Sequence, residues 1–135
     1  MISLSHEPIQ KEKLRAAVLH EKAGALLIFE GVTRDNFAGK RVLELRYEAY
    51  EDMAIKELSC LREELLAEYP MARIAMSHRL GVVGIEETSV VIAVSAPHRD
   101  EAYQVSRKAI DGLKSRVPIW KKEIYEEGAS WKANQ

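Results

Sequence analysis

The segment TSVVIAVSAPHRDEAYQVSRKAIDGLKSRVPIWKKEIY, residues 88–125, contains a complete strand–helix–strand unit. The apolar run Thr88–Ala96 predicts a buried strand. Apolar residues then recur at helical spacing, which predicts a helix over His98–Arg116. Pro118 follows this helix and opens a last main strand that ends at Tyr125. A protein built around such a unit holds a sheet with helices packed on it.

The rest of the chain repeats this mixture. The predicted strands are Ile2–Ser5, Gly24–Gly31, Arg41–Tyr50 and Ile74–Leu80, and the predicted helices are Pro8–Leu19 and Glu51–Tyr69. Turn residues at Asp35–Gly39 and Gly81–Gly84 predict tight connections between strands. The order β-α-β-β-α-β-β-α-β predicts an α+β fold with antiparallel character, in one domain over residues 1–135, with helices on one face. An exposed sheet face or edge would then be available to form a homodimer.

Composition excludes several classes of function. The net charge is −1, so the chain has no global field that attracts nucleic acid or a membrane surface. No apolar run approaches the roughly 20 residues that span a bilayer, and the N-terminus does not resemble a signal peptide. These features predict a cytoplasmic protein. A single cysteine excludes a disulfide within the chain, and the spacing of the histidines does not resemble a metal site.

The lysines around Trp120 could be catalytic or merely solvated. Side chains alternate along a strand, so Lys121 and Glu123 should share one face while Lys122 points to the other. Lys114 ends the preceding helix, and the short connection can bring it beside Lys121. Two partly desolvated ammonium groups lower each other's pKa and favour a neutral amine that acts as base or nucleophile. Alternatively, Lys114 stabilises the helix C-terminus and Lys121 points into water.

Further basic residues lie where the chain leaves two predicted strands. His98 and Arg99 begin a helix, where unpaired N–H groups favour an anion such as phosphate or carboxylate. Asp100 and Glu101 offer the opposite explanation, since they satisfy the helix dipole and leave the two basic side chains to solvent. Arg34 follows a buried strand and could be either a ligand-binding residue or simply the first solvated position.

A resemblance to a known family rests on three stretches: FEGVTRDNFAGKRVLELRYEAYEDMA (residues 29–54), HRLGVVGIEETSVVIAVSAPHRDEA (residues 78–102) and AIDGLKSRVPIWKKEIYEEGASW (residues 109–131). Together they resemble the catalytic, large subunits of molybdopterin synthase, over roughly Gly24 to Trp131. The helix-starting His-Arg pair and the pattern LKxxxPIWKKE are the most specific features. One departure is at the end of the chain, which stops at Ala133-Asn134-Gln135 while some members continue with further basic residues.

The resemblance implies an α/β-hammerhead fold, a homodimer and a heterotetramer with two small ubiquitin-like sulfur-carrier subunits. It implies that sulfur passes from the C-terminal Gly-Gly thiocarboxylate of the small subunit to cyclic pyranopterin monophosphate, which forms the dithiolene of molybdopterin. It implies no metal or cofactor for this step. Lys114 and Lys121 are the implied catalytic residues. Those two and the following residues are the implied substrate-binding set: Val32, Thr33, Arg34, His98, Arg99, Lys122 and Glu123.

Two other functions are compatible with the residues themselves. An acylphosphatase-like hydrolase would use a small α+β sheet and a loop such as Arg34-Asp-Asn36, but would not need Lys114 or Lys121. A non-catalytic sensor domain would bind a small ligand as a dimer and would not need a partner tail. A thiocarboxylated small subunit is therefore the reagent that separates the three functions.

Overall fold

The computed structural model describes residues 1–126 and 128–133 of the chain. The elements in this part are β1 (Ile2–Ser5), α1 (Lys11–Val18), β2 (Ala25–Val32), β3 (Asn36–Phe37), β4 (Lys40–Ala49), α2 (Glu51–Glu68), β5 (Arg73–Arg79), β6 (Gly81–Gly84), β7 (Thr88–Ala96), α3 (Arg99–Arg116), β8 (Ile119–Tyr125) and β9 (Gly128–Ala133). Of the last three residues, Ala133-Asn134-Gln135, the final two lie outside the described residues. The predicted α+β class with mostly antiparallel pairing is confirmed. Among the described residues, no helix has the length and apolar character needed to cross a membrane.

The first sheet has four strands in the order β1-β5-β7-β2. Only β1 and β5 pair in parallel; β5–β7 and β7–β2 are antiparallel. The sheet has helices on both faces, so the prediction of helices on one face was wrong. Val90, Ile92 and Val94 pack in the core with α2 and α3, while Val91 and Ala93 pack with α1. Burial on both faces explains why the sequence of β7 is a nearly continuous apolar run.

The second sheet follows the order β3-β4-β8-β9, and β6 also pairs with β4. Gly81–Gly84 was predicted as a turn but is this strand β6, antiparallel to β4. Gly81 begins this strand with a φ of +84°, a backbone conformation that suits glycine. The predicted turn around Gly39 is tight, because Ala38 and Gly39 both have positive φ and connect β3 to β4. The sequence analysis missed two strands: β9, and the short β3 (Asn36–Phe37), which lies inside the predicted turn Asp35–Gly39.

Two boundaries determine where the site residues lie. Helix α3 ends when the Val117 N–H donates to the Leu113 carbonyl at 3.1 Å, and β8 begins at Ile119. Strand β8 then pairs with β4 in a register that sets Lys121 opposite Tyr47 and Glu123 opposite Leu45. The end of α3 and the start of β8 therefore meet at the junction between the two sheets.

Candidate active site at the junction of the two sheets

A cavity of about 210 Å³ opens between the end of β2 and the strands β4 and β8. Its lining combines basic, acidic and apolar side chains: Gly31, Val32, Arg34, Asn36, Phe37, Val42, Leu45, Tyr47, Ser89, Lys114, Lys121 and Glu123. Larger cavities of about 520 to 600 Å³ lie elsewhere on the surface, but neither Lys114 nor Lys121 lines them. Chemistry rather than size therefore selects the small cavity as the candidate active site.

Strand β8 delivers alternate side chains to this pocket. Lys121 and Glu123 line it, whereas Lys122 points the other way and lies 5.4 Å from the ring centre of Trp131. The alternation predicted from the sequence is therefore present. Ile119 holds the register, since its side chain is buried in the main core on the pocket face of the strand. A shift of one residue would expose Ile119 and exchange Lys121 for Lys122.

Lys114 reaches the same pocket from the last turn of α3. Its pKa is lowered from the usual 10.5, first because burial disfavours the charged amine and second because Lys121 places a like charge nearby. The lysine is half-buried. A lowered pKa increases the neutral fraction of the amine at any given pH below 10.5. The two lysines are thus brought together, as the short connection between helix and strand predicts.

A buried carboxyl lies beside the lysines. Glu123 is only 2% exposed, and its Oε2 accepts a hydrogen bond of 2.9 Å from the Tyr125 hydroxyl. Burial of a carboxylate is tolerated when positive charge and hydrogen bonds compensate for lost water. The pocket therefore has a net positive charge, because two lysines and Arg34 outnumber the one glutamate.

The three predicted residues at the end of β2 differ in their placement. Val32 and Arg34 line the pocket and are exposed, whereas Thr33 is buried and does not line it. The Thr33 backbone is held at both ends, since its N–H donates to the Glu87 carbonyl at 3.0 Å and its carbonyl accepts from the Glu86 N–H at 2.8 Å. Thr33 therefore anchors the loop from which Arg34 projects.

His98 and Arg99 lie far from this pocket within one chain. Both are exposed at the start of α3. Arg99 and Lys114 are 15 positions apart in that helix, which at about 1.5 Å per residue separates them by roughly 22 Å. Asp100 and Glu101 occupy the same first turn. The structure thus brings together the residues of the β2 end, the α3 end and β8, but not the residues at the α3 start.

A buried histidine lies behind the pocket wall. The pKa of His78 is lowered to about 4, mainly by burial, so its ring is neutral at pH 7. Its Nδ1 lies 2.8 Å from the Arg79 carbonyl, so this nitrogen carries the hydrogen and donates it. Its ring meets Tyr47 edge-on at 4.9 Å. Among the described residues, no cluster of three or more His, Cys, Asp or Glu side chains could hold a metal ion.

Sequence reasoning missed two polar residues of the pocket, Tyr47 and Ser89. The sequence did give a hint of Tyr47, because this residue lies in a predicted strand whose apolar and charged residues alternate. That signal becomes specific only once the β4–β8 register places it opposite Lys121. The sequence gave no hint of Ser89, because it is a single polar residue inside an apolar run.

The fold and the pocket define a class: a small α+β protein with a basic pocket, in which burial and, after it, a neighbouring lysine lower the pKa of Lys114. The family profile described as MoaE protein matches residues 4–116. The chain belongs to the MoaE protein family. The resemblance to catalytic subunits of molybdopterin synthase predicted from the sequence is thereby confirmed, and the chain is placed among the enzymes of molybdenum cofactor biosynthesis.

Relatives and solved structures agree with this assignment. A molybdopterin synthase catalytic subunit from Culex quinquefasciatus is 46% identical over 99% of this chain and 88% of its own length. The X-ray structure of molybdopterin synthase from Staphylococcus aureus matches with a TM-score of 0.92 and 40% identity, over 96% of this chain and 94% of that one. A complex of subunits 1 and 2 of molybdopterin-converting factor from Helicobacter pylori matches in fold, with a TM-score of 0.78 and 18% identity over 99% of this chain and 91% of that one.

Proposed function

We propose that this chain is the sulfur-transferring subunit of a molybdopterin synthase. It takes sulfur from the thiocarboxylate at the C-terminus of a small ubiquitin-like subunit and passes it to cyclic pyranopterin monophosphate, in two rounds that build the dithiolene. The observation that carries the proposal is the convergence of Lys114 and Lys121 in one cationic pocket. A thiocarboxylate and a cyclic phosphate are both anions, and such a pocket stabilises negative charge.

The small volume of the pocket favours a narrow ligand. Its volume of about 210 Å³ is below the roughly 300–1,000 Å³ of typical small-molecule sites. A Gly-Gly tail can enter such a space because glycine has no side chain to clash. We therefore assign the pocket to the tail end and to the reacting part of the pterin, with the rest of the substrate lying outside it.

The two lysines have different roles in this proposal. Lys114, whose pKa is lowered, accepts and returns protons as sulfur attacks and phosphate leaves. Lys121 remains the cation that polarises the thiocarboxylate. Glu123 holds the lysines in place through its buried negative charge, and Arg34 can contact phosphate through its planar fork of donors.

The remaining predicted residues need a second copy of the chain or the small subunit. Arg99 lies roughly 22 Å from Lys114 along α3, and His98 directly precedes that helix, so in the proposed homodimer both would act on substrate held by the other copy. Lys122 lies outside the pocket against the half-exposed Trp131, where it could meet the small subunit. The partner is proposed by analogy with the Helicobacter pylori complex of two subunits, and a heterotetramer follows if the chain is a dimer. A cytoplasmic location stays a prediction.

The alternative functions leave part of the pocket unexplained. A phosphohydrolase could use Arg34 and Asn36, which both line the pocket, but it has no need of two lysines. A sensor domain has no need of an amine with a lowered pKa.

The decisive experiment mixes the purified chain with a thiocarboxylated small subunit and cyclic pyranopterin monophosphate and measures the dithiolene product. A small subunit with an ordinary carboxylate tail is the matched control. Product formed only with the thiocarboxylate supports the proposal. Absence of product, together with hydrolysis of an acyl phosphate by the chain alone, would replace it with the phosphohydrolase function.

A further inference from the structure

A tight turn holds the chain just beyond the end of β2, where it enters the pocket. The turn runs from Gly84 to Glu87, since the Glu87 N–H donates to the Gly84 carbonyl at 3.0 Å. Thr33 donates its N–H to the Glu87 carbonyl at 3.0 Å, and its own carbonyl accepts from the Glu86 N–H at 2.8 Å. Arg34 is the next residue and lines the pocket. The position of Arg34 therefore depends on the conformation of this turn.

The turn has a backbone conformation that its residues do not favour. A four-residue turn of type II needs a positive φ at its third residue, which glycine usually provides. Here the third residue is Glu86, with a φ of +69°. A side chain disfavours this region, so a residue other than glycine stays there only where the surrounding structure fixes it. The turn therefore needs support beyond its own backbone hydrogen bond.

The side chain of Glu87 provides that support. Its Oε1 accepts a hydrogen bond of 2.7 Å from the Gly84 N–H, so side chain and backbone together close the turn. Its Oε2 lies 3.4 Å from Nη1 of Arg79 on β5, a side chain that is only 13% exposed. The bond from Gly84 and the charge of Arg79 lower the pKa of Glu87, so the carboxylate is ionised at neutral pH. Hydrogen bonds to an ionised acceptor are stronger than neutral ones.

We propose that Glu87 is a positioning residue, whose carboxylate fixes the turn that holds Thr33 and thereby keeps Arg34 where it can contact the phosphate of the substrate. The inference rests on the proposed function, because it concerns the same substrate. Arg34 is exposed on a loop, and a loop residue binds well only when a rigid scaffold positions it. Loss of the Glu87 carboxylate should therefore weaken substrate binding and leave the lysines of α3 and β8 in place.

The test compares Glu87→Ala, Arg34→Ala and the double variant in the dithiolene assay with the intact complex. We expect Glu87→Ala to raise KM for cyclic pyranopterin monophosphate about three- to tenfold, the range that one hydrogen bond covers. Its kcat should not change, because losing binding that ground state and transition state share raises KM alone. A merely structural defect would instead lower kcat through the fraction of active enzyme. The double variant should have the KM of Arg34→Ala, since residues that act through one another are not additive.

Two further variants make the comparison specific. Gly84→Ala perturbs the same contact from its other side, because a Cβ there would lie 2.7 Å from Oε1 of Glu87 and displace the carboxylate. It should also raise KM for the pterin substrate. Glu68→Ala is the matched control, since it removes a similarly exposed carboxylate that accepts a hydrogen bond of 2.6 Å from Lys108. Neither residue lines the pocket, so both kinetic constants should stay at the wild-type values.

A wild-type KM for the pterin substrate in Glu87→Ala would overturn the inference. If that variant does not fold, Gly84→Ala decides by the same criterion. Fully multiplicative increases of KM in the double variant would overturn it too, because Glu87 would then act independently of Arg34. A wild-type complex that makes no dithiolene would overturn the proposed function, and this inference with it.

Discussion

Neighbouring lysines on β8 should differ sharply in their effect on catalysis. We expect Lys121→Ala to lose most of its sulfur transfer, because this side chain lines the pocket and its charge contributes to the lowered pKa of Lys114. Loss of one group that stabilises developing negative charge reduces kcat by about 10²- to 10³-fold, or roughly 3–4 kcal/mol. Lys122→Ala removes only a contact at 5.4 Å from the ring centre of the half-exposed Trp131. Such a contact is worth about 0.5–1 kcal/mol of stability.

The assay measures single-turnover formation of dithiolene with preloaded thiocarboxylated small subunit, together with thermal unfolding. Lys121→Ala should keep the wild-type fold, since the side chain is only half-buried. Lys122→Ala should keep the wild-type rate and lower the melting temperature by about 2–4 °C. An inactive Lys122→Ala beside an active Lys121→Ala would refute the alternation of β8 and, with it, the assignment of the pocket.

Three further predictions concern protons, substrate and partner. The rate of sulfur transfer should rise with pH as Lys114 loses its proton below 10.5. Lys121→Met should move this rise to higher pH, because it removes the neighbouring like charge. An unchanged pH profile in the variant would show that Lys121 does not affect the pKa of Lys114. Arg99→Ala should weaken binding of cyclic pyranopterin monophosphate, measured by calorimetry, by about 1.5–3 kcal/mol and leave small-subunit binding intact. Unchanged substrate affinity would mean that Arg99 is only a solvated residue at the helix start. Deletion of the two C-terminal glycines of the small subunit should abolish transfer but preserve a heterotetramer in light scattering, because ordering a flexible tail costs roughly 1–2 kcal/mol per residue; failure to form a complex even with the full-length tail would contradict the proposed partner.

Local patterns in the sequence were sufficient for the three helices, for most of the strands and for one wall of the site. The alternation around Lys121 could be predicted because Ile119 supplies an apolar reference for the pocket face of β8. The proximity of Lys114 followed from a connection of a few residues, whose geometry leaves little freedom. Both conclusions depend on neighbours in the sequence.

Long-range pairing could not be predicted in the same way. Gly81–Gly84 looks like a turn, and only its pairing with the distant strand β4 makes it a strand. Tyr47 and Ser89 are 42 positions apart in the sequence, and both line the pocket only because the two sheets that carry them meet there. His98 and Arg99 show the limit from the other direction, since the family resemblance implies one substrate site with Lys114 while the length of α3 separates them within one chain.

The lowered pKa of Lys114 has a consequence for the empty enzyme. A lysine whose pKa is lower in the folded chain than in the unfolded chain binds fewer protons when folded, so folding stability rises with pH between the folded value and 10.5. Below that window, the folded chain keeps a charge that burial and Lys121 disfavour, and its stability is correspondingly reduced. The anionic tail of the proposed small subunit would remove this penalty on binding, since any ligand specific to the folded state raises the melting temperature by mass action. The pocket therefore lowers the stability of the chain on its own, and binding of the proposed partner should make the subunit most resistant to heat when it is loaded for reaction.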